Sequence, residues 1–214
     1  MKLIATKDAS HTLFSEIYKE HYHSVYGALD ESYHIFIKAG LRQIKKDNIS
    51  IFEMGFGTGL NAFLSLLESE KQNLNIVYTT IEKHPVPASI YRQLNYAKEQ
   101  EKELFLKLHQ ADWQSKQIIT PFFSLIKTEG SILNYQHQNY YDLIYYDAFS
   151  PEIQPDLWSE DIFLRIYEKL NKGGILMTYT VKGTVKRALK SVGFKIEKLP
   201  GPIGKREILK AYKS

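Results

Sequence analysis

FEMGFGTGL, residues 52–60, decides the fold of this chain. An apolar run, NISIFEM at residues 48–54, leads into it, and a segment with helical spacing follows it. Gly55, Gly57 and Gly59 alternate through the turn between the two. A strand, a glycine-rich turn and a helix in this order are typical of nucleotide-binding sites, because glycine permits a sharp turn and lets a ligand lie against bare backbone. The stretch therefore predicts an α/β fold with a ligand at this turn.

Short β-rich runs alternate with longer helical patterns on both sides of this turn. Strands are predicted over residues 48–54, 75–82, 122–128, 141–147, 175–180, 194–199 and 206–212, and helices over 61–69, 85–109, 157–170 and 183–192. Such alternation favours a parallel sheet with helices on both faces. Because only residues 200–205 separate the last two strands, we expect them to pair as a hairpin. The predicted fold is a Rossmann-like α/β domain whose seven-stranded sheet is mostly parallel, with one antiparallel edge strand.

The chain has 214 residues, which fits a single globular domain. Residues 46–214 carry the alternating pattern and are predicted to form that domain, whereas residues 1–45 precede the first core strand and are predicted to be an N-terminal extension. The extension contains His11, His21, His23 and His34. These histidines are scattered and no acid or cysteine completes a ligand set, so we expect no metal site.

Cysteine is absent from the sequence. This excludes disulfides, cysteine metal sites and a thiol nucleophile, and it favours a reducing cytoplasm. No stretch approaches the ~18 consecutive apolar residues of a membrane span, and the N-terminus lacks the apolar run of a signal peptide. We therefore expect a cytoplasmic protein without a membrane partner.

Charge is distributed unevenly along the chain. The net charge is +4, yet residues 181–214 carry ten Lys and Arg side chains against two Glu. This end therefore carries +8 and the remainder −4. A basic end of this kind favours a polyanionic partner. The alternative is a set of solvated helix and strand faces.

The glycine turn alone leaves the nucleotide open. Residues 57–62, GTGLNA, match the dinucleotide fingerprint in its form with a final Ala, and Glu82 is placed to bind a ribose hydroxyl of NAD or of S-adenosylmethionine. Glu53, two residues before the first glycine, favours S-adenosylmethionine. A carboxylate there repels a pyrophosphate but suits the ammonium and sulfonium groups of a cofactor without phosphate. A purely structural glycine turn is the alternative.

A second candidate feature ends the fourth predicted strand, YDLIYYDAFSP at residues 141–151. Ligands of open α/β sheets bind outside the carboxyl ends of the strands, so Asp147 and the glycine turn should face one crevice. An acid followed by Phe149 and a proline resembles the acid-Pro-Pro-aromatic signature of methyltransferases that act on amino nitrogen. A carboxylate can accept an N–H of the amine and orient its lone pair. The alternative role of Asp147 is a helix N-cap or a turn acid.

Taken together, these motifs resemble one family. FEMGFGTGLNAF, IYYDAFSPEIQPDLWS, TYTVKGTVKRALKSVGF and GPIGKREI are similar to the methyltransferase domain of the MnmC family of tRNA wobble-uridine modification, and the chain is most like the stand-alone form. The resemblance begins near residue 6, includes YHSVYGALDES at residues 22–32, and runs almost to the C-terminus. It implies a Rossmann-like enzyme that uses S-adenosylmethionine to methylate the side-chain amine of 5-aminomethyl-2-thiouridine at position 34 of tRNA.

The resemblance also implies roles for single residues. Asp147 matches the family's active-site aspartate. The expected cofactor contacts are Glu53, Gly55, Phe56, Gly57, Thr58, Gly59, Asn61, Glu82, Lys83, Ser131 and Asp147. Ser131 stands where the family has an acid near the adenine, and Pro202-Ile203 replaces an aromatic position of the family pattern. No second glycine fingerprint follows, so we expect no FAD-dependent oxidase half, no FAD, and an aminomethyl substrate made by another enzyme.

A tRNA partner would explain the basic end of the chain, because Lys and Arg contacts to phosphates supply affinity and register. The predicted tRNA contacts are Lys182, Lys186, Arg187, Lys205 and Arg206, together with Phe149 for stacking on an unpaired base of the anticodon loop. Trp158 and Tyr179 are further stacking candidates that are equally suited to the core.

Three alternatives remain open at this level. An aminopropyltransferase of the spermidine-synthase kind also has a Tyr-Asp-x-Ile strand that ends in Asp, but it needs no cationic C-terminal face. A non-catalytic nucleotide- or RNA-binding module is compatible with the change to Ser131. An NAD dehydrogenase is the third, although no His or Lys acid–base pair stands at the right strand ends.

Overall fold

The computed structural model describes residues 1–214 and contains two β-sheets. The strands are β1 (Lys2–Ala5), β2 (His11–Ser15), β3 (Glu20–His21), β4 (Asn48–Met54), β5 (Asn75–Glu82), β6 (Lys116–Thr120), β7 (Phe123–Glu129), β8 (Tyr141–Tyr146), β9 (Leu170–Thr178), β10 (Lys195–Pro200) and β11 (Glu207–Tyr212). The first three form a small antiparallel sheet. The other eight form the main sheet in the order β10-β11-β9-β8-β4-β5-β7-β6.

Six α-helices accompany the strands. They are α1 (Ala28–Ser32), α2 (Leu60–Gln72), α3 (Ala88–Tyr91), α4 (Lys102–Gln110), α5 (Glu160–Lys169) and α6 (Gly183–Ser191). A π-helical segment, Tyr33–Lys38, continues α1. None of the helices combines the length and the apolar character needed to cross a bilayer.

Five neighbouring strands of the main sheet, β7, β5, β4, β8 and β9, are parallel. All six residues of β8 are buried, as expected of a central strand that helices cover on both faces. The predicted α/β class and mostly parallel sheet are confirmed, and β4 and β5 have the predicted bounds.

Alternate residues of β4 feed two hydrophobic layers. Ile49 and Ile51 face the layer that contains α2 and the N-terminal helices. Phe52 and Met54 face the layer that contains α5 and α6. Because side chains alternate across a strand, each of the two faces of β4 is covered by one of these layers. The turn after Met54 then leaves the core at the edge where the site forms.

Two features of the predicted sheet were wrong. The C-terminal hairpin exists, but its antiparallel strand, β11, lies between β9 and β10, so the edge strand β10 runs parallel to the central strands. The sheet also has an eighth strand, β6, antiparallel to β7 at the opposite edge. The short strand β6 was not predicted because only one of its side chains, Ile119, is buried, whereas its neighbour Ile118 is 73% exposed.

The helix predicted over residues 85–109 is interrupted. Its two α-helical parts are α3 and α4, and residues 92–98 between them are not helical. Leu94 and Tyr96 in this connection are nevertheless buried. Apolar residues in the linking segment therefore mimicked a continuous helical pattern.

Candidate active site

A cavity of about 550 Å³ opens at the carboxyl ends of β4, β5, β7, β8 and β9. Small-molecule sites of proteins span roughly 300–1,000 Å³, so the cavity has the size of a cofactor site. Its walls come from the segments that follow these strands and from the N-terminal residues 18–31. The parallel order of the strands brings these segments to one edge of the sheet.

The glycine turn follows β4 and adopts the backbone that only glycine accepts easily. Gly55, Gly57 and Gly59 have φ values of 87°, 52° and 73°. Glu82, at the end of β5, holds this turn because its carboxylate accepts hydrogen bonds from the Gly57 N–H at 2.9 Å and the His84 N–H at 2.7 Å. The acid expected at a ribose is thus also a support of the turn itself.

The back of the turn is packed against buried histidines. A Cβ on Gly59 would lie 2.8 Å from Nε2 of His109. That nitrogen is 3.1 Å from the Thr58 carbonyl, and Nε2 of His23 is 2.7 Å from the Thr58 hydroxyl. Burial lowers the pKa of His23 to about 4 and that of His109 to about 3, so both rings are neutral at pH 7. These histidines position the turn and carry no charge.

Asp147 follows β8 directly and faces the same cavity as the glycine turn. Nδ2 of Asn61, in the first turn of α2, donates to its Oδ2 at 2.8 Å. Burial raises the pKa of Asp147 to about 7. The side-chain oxygen of Asn61 is buried without a hydrogen-bond partner in the protein. The cavity therefore contains a carboxylate whose orientation is fixed by the Asn61 amide.

Glu53 lies behind the cavity wall, and only 1% of the residue is exposed. Neither of its carboxyl oxygens has a hydrogen-bond partner in the protein. Burial and the nearby charge of Asp147 raise the pKa of Glu53 well above its ordinary value. A buried carboxyl group without hydrogen-bond partners lowers the stability of the folded state.

Aromatic side chains form one wall of the cavity. The ring of Phe149 lies between those of Tyr18 and Tyr22, with centroid distances of 4.6 and 5.0 Å. Tyr179 follows β9 and donates its hydroxyl to the Ala148 carbonyl at 3.1 Å. Trp158 is buried and donates Nε1 to the Phe149 carbonyl at 2.9 Å, so it belongs to the core.

Most of the predicted site residues line this cavity. They are Gly55, Phe56, Gly57, Thr58, Asn61, Glu82, Lys83, Ser131, Asp147, Phe149 and Lys205. The predicted residues outside its lining are Glu53, Gly59, Lys182, Lys186, Arg187 and Arg206. The Ser131 hydroxyl accepts the Leu133 N–H at 3.3 Å and thereby caps a short helical turn at the rim.

Sequence reasoning missed the N-terminal contribution to the site. Tyr18, the residues from Glu20 to Tyr26, and Glu31 line the cavity, although residues 1–45 were predicted only to precede the domain. Glu20 of β3 accepts the Ser150 N–H at 3.0 Å and ties this segment to the turn after β8. The signal was available in YHSVYGALDES at residues 22–32, which carried part of the family resemblance.

Comparison with known proteins identifies the class of this site. A family model described as S-adenosyl-L-methionine-dependent methyltransferase matches residues 95–214, more than half of the chain. The chain belongs to this family. The cofactor of this methyltransferase is therefore S-adenosylmethionine, as the acid before the glycine turn predicted.

The methyltransferase also has similar relatives with more specific names. The bifunctional protein MnmC of tRNA 5-methylaminomethyl-2-thiouridine biosynthesis is 27% identical in Actinobacillus pleuropneumoniae and 31% identical in Delftia acidovorans, each over 94% of this chain. These matches cover 34% and 33% of the relatives, so the chain spans about a third of their length. The predicted resemblance to MnmC is confirmed.

Solved structures agree with this placement. The crystal structure of MnmC2 from Aquifex aeolicus has a TM-score of 0.83 and 26% identity, and the match covers 99% of this methyltransferase and 70% of that chain. Spermidine synthase from Thermotoga maritima has a TM-score of 0.59 at 13% identity, covering 99% of this chain and 68% of that one, which shows a shared fold alone.

No group of three or more His, Cys, Asp or Glu side chains is arranged to hold a metal ion.

Proposed function

We propose that this methyltransferase methylates the 5-aminomethyl group of uridine, or of 2-thiouridine, at wobble position 34 of tRNA. The observation that carries the proposal is the shared cavity of Asp147 and the glycine turn, with the carboxylate oriented by Asn61 at 2.8 Å. The similarity to MnmC proteins, whose name refers to tRNA 5-methylaminomethyl-2-thiouridine biosynthesis, supports the choice of acceptor.

The residues present fit S-adenosylmethionine. A Cβ on Gly55 would have no atom nearer than the Asp147 carbonyl oxygen at 3.8 Å, so bare backbone faces the cavity. Glu82, Lys83 and Ser131 line the region of the cavity suited to the nucleoside of S-adenosylmethionine. When bound, the cofactor supplies an activated methyl group on a positively charged sulfur.

Asp147 has the role of proton acceptor in this proposal. An amine attacks a methyl carbon only with a free lone pair, so the aminomethyl group must lose a proton before or during the transfer. The Asp147 carboxylate accepts that N–H, and its hydrogen bond to Asn61 fixes the direction of the accepting oxygen. A pKa raised to about 7 makes the carboxylate a stronger base than an exposed aspartate. The proton would pass from the amine to Asp147 and then to solvent, and the cofactor that has lost its methyl group would leave as S-adenosylhomocysteine.

The tRNA would lie across the cavity mouth. Lys182 precedes the first turn of α6, Arg187 lies one turn further on, and both are exposed. Arg206 is exposed on the turn between β10 and β11. These cations are suited to phosphates of the anticodon loop, which presents unpaired bases. In this proposal residues 46–214 form the methyltransferase domain, residues 1–45 complete its cavity, and the reaction takes place in the cytoplasm.

The test is to incubate the protein with S-adenosylmethionine labelled in its methyl group and bulk tRNA from a strain that lacks this gene. We expect the label to enter a single nucleoside that chromatography and mass spectrometry identify as 5-methylaminomethyl-2-thiouridine or its 2-oxo form. A tRNA with cytidine at position 34 serves as the matched control and should remain unlabelled. Label on a ring carbon, on a ribose or on a small polyamine would contradict the proposal.

A further inference from the structure

Two charged residues line the cavity but have no part in the methyl transfer described above. Glu31 belongs to α1, and Lys205 lies in the turn between β10 and β11. Nζ of Lys205 is 3.2 Å from Oε2 of Glu31, and the side chains are only 28% and 12% exposed. Both are close enough to Asp147 for their charges to act on its carboxyl group. The pair therefore stands at the end of the cavity where the methyl acceptor must bind.

The surrounding structure fixes the Lys205 ammonium. Its Nζ lies 4.7 Å from the centroid of the Tyr179 ring, within the range of a cation–π contact. Glu31 is held in turn because its Oε1 accepts the Ser24 N–H at 3.1 Å. The turn that carries Lys205 packs tightly, since a Cβ on Gly204 would come 2.6 Å from the ring of Tyr26. This charge is therefore placed by packing on three sides.

The hydrogen-bonding capacity of Lys205 is not exhausted by these contacts. A lysine ammonium has three N–H donors and no acceptor. Oε2 of Glu31 lies within ion-pair distance but accepts no hydrogen bond from Lys205, and the Tyr179 ring offers only a π face. Because Lys205 lines the cavity, a remaining donor is available to a ligand there. Half-buried donors of this kind favour a ligand with a matching acceptor.

A purely structural role for the pair explains less. The N-terminal segment and the hairpin are already joined by a hydrogen bond between Nε2 of His34 and the Pro200 carbonyl at 2.9 Å. Partly exposed ion pairs add little stability, about 0–1 kcal/mol in the median case. A tether would also not require the ammonium to face the cavity beside Asp147.

We propose that Lys205 donates a hydrogen bond to a ring carbonyl oxygen of the base that bears the methyl-accepting amine, and that Glu31 positions Lys205 for this contact. This inference rests on the proposed function. In a 5-aminomethyluridine the carbonyl at ring carbon 4 neighbours the carbon that carries the aminomethyl group. A base bound with its amine at Asp147 therefore presents that oxygen close to the reacting nitrogen.

The contact would give the enzyme a means of selecting uridine over cytidine. Cytidine has an amino group, a hydrogen-bond donor, where uridine has the carbonyl oxygen. Lys205 cannot accept a hydrogen bond, so a cytidine would leave two donors facing each other. Lys205 is then a specificity-determining residue, and Glu31 acts only through it.

The experiment uses two anticodon stem-loop RNAs that differ at position 34 alone, one with 5-aminomethyluridine and one with 5-aminomethylcytidine. Steady-state methylation of each is measured for the wild type and for Lys205→Met, Lys205→Arg and Glu31→Gln. We expect Lys205→Met to raise KM for the uridine RNA by roughly tenfold to a hundredfold, with kcat little changed, and to abolish the preference for uridine. Lys205→Arg should retain the preference, and Glu31→Gln should weaken it.

Lys198→Met is the matched control. Lys198 pairs with Glu207 at 2.8 Å on the same hairpin but outside the cavity lining, so its loss should leave both RNAs unaffected. The inference is overturned if Lys205→Met leaves the ratio of kcat/KM for the two RNAs unchanged, as a simple phosphate contact would. Should Lys205→Met fail to fold, an unchanged ratio in Glu31→Gln overturns it equally. A wild type that methylates neither RNA would instead contradict the proposed function.

Discussion

At the scale of single residues, the site is organised around two carboxyl groups that the fold keeps from their usual hydration. Burial raises the pKa of both Asp147 and Glu53. Asp147 has a hydrogen-bond donor in Asn61, whereas Glu53 has no partner. The pKa of Asp147 is therefore raised to about 7, where its ionisation can be followed near neutral pH, and burial and the Asp147 charge raise the pKa of Glu53 well above its ordinary value.

Replacing Asp147 tests this electrostatic arrangement. Asp147→Asn keeps the shape of the side chain but cannot accept a proton, so we expect kcat to fall by about 10²–10⁴-fold while S-adenosylmethionine still binds. Single-turnover methylation and calorimetry measure the two quantities. A kcat within threefold of the wild type would show that Asp147 is not the proton acceptor.

The same variant makes a prediction about stability and pH. The folded-state pKa of about 7 exceeds the ordinary value of 3.8, so the folded protein binds more protons than the unfolded chain between these pH values. This contribution is present at low pH and is lost as pH rises through 7. In the wild type, the free energy of unfolding should therefore decline between pH 4 and pH 8. Because Asp147 is only half-buried, we expect this decline to be smaller in Asp147→Asn by on the order of 1–2 kcal/mol. Parallel curves for the variant and the wild type would contradict it.

At the scale of elements, the strand–turn–helix unit could be predicted from the sequence because three local features agree in it. NISIFEM has the apolar composition of a central strand, the glycines occupy positive φ, and α2 begins at once after Gly59. Strand β6 and the loop at residues 92–98 lack such agreement. Strand β6 is short and lies at the edge of the sheet. The loop has apolar residues because tertiary packing buries them, and not because the segment is helical.

Gly59→Ala tests how closely the turn is packed. The φ of 73° is unfavourable for alanine, and the new Cβ would also approach Nε2 of His109 at 2.8 Å. We expect a loss of about 2–4 kcal/mol in free energy of unfolding and weaker S-adenosylmethionine binding. Gly173→Ala is the control, because its φ of 76° is similar but no atom lies within 4 Å of the added Cβ.

The control separates backbone strain from packing. Gly173→Ala should cost only about 1 kcal/mol and leave cofactor affinity unchanged. Thermal unfolding and calorimetry of both variants provide the comparison. If the two variants lost equal stability and equal affinity, close packing behind the turn would not be what shapes the cofactor site.

At the scale of the whole molecule, the cavity is assembled from parts that are far apart in sequence. The parallel sheet supplies its floor, residues 18–31 one wall, and the turn with Lys205 another. The sequence could predict the residues at the strand ends, because ligand sites follow from α/β topology. It could not predict that Glu31 meets Lys205 across 174 positions, since no local pattern encodes that contact.

The charge asymmetry of the chain gives the prediction that belongs to this scale. Affinity for tRNA should fall with salt concentration. If the basic end binds tRNA phosphates, each lost contact should make the plot of log affinity against log salt concentration less steep by about 0.7–0.9. Lys186→Gln with Arg187→Gln on α6 should therefore reduce the slope by about 1.5, measured by fluorescence anisotropy of labelled tRNA between roughly 50 and 200 mM KCl. Lys45→Gln with Lys71→Gln removes the same charge from the opposite end of the sheet, where β4 begins and α2 ends. Equal slopes for the two double variants would mean that net charge, and not a surface on α6, attracts the RNA.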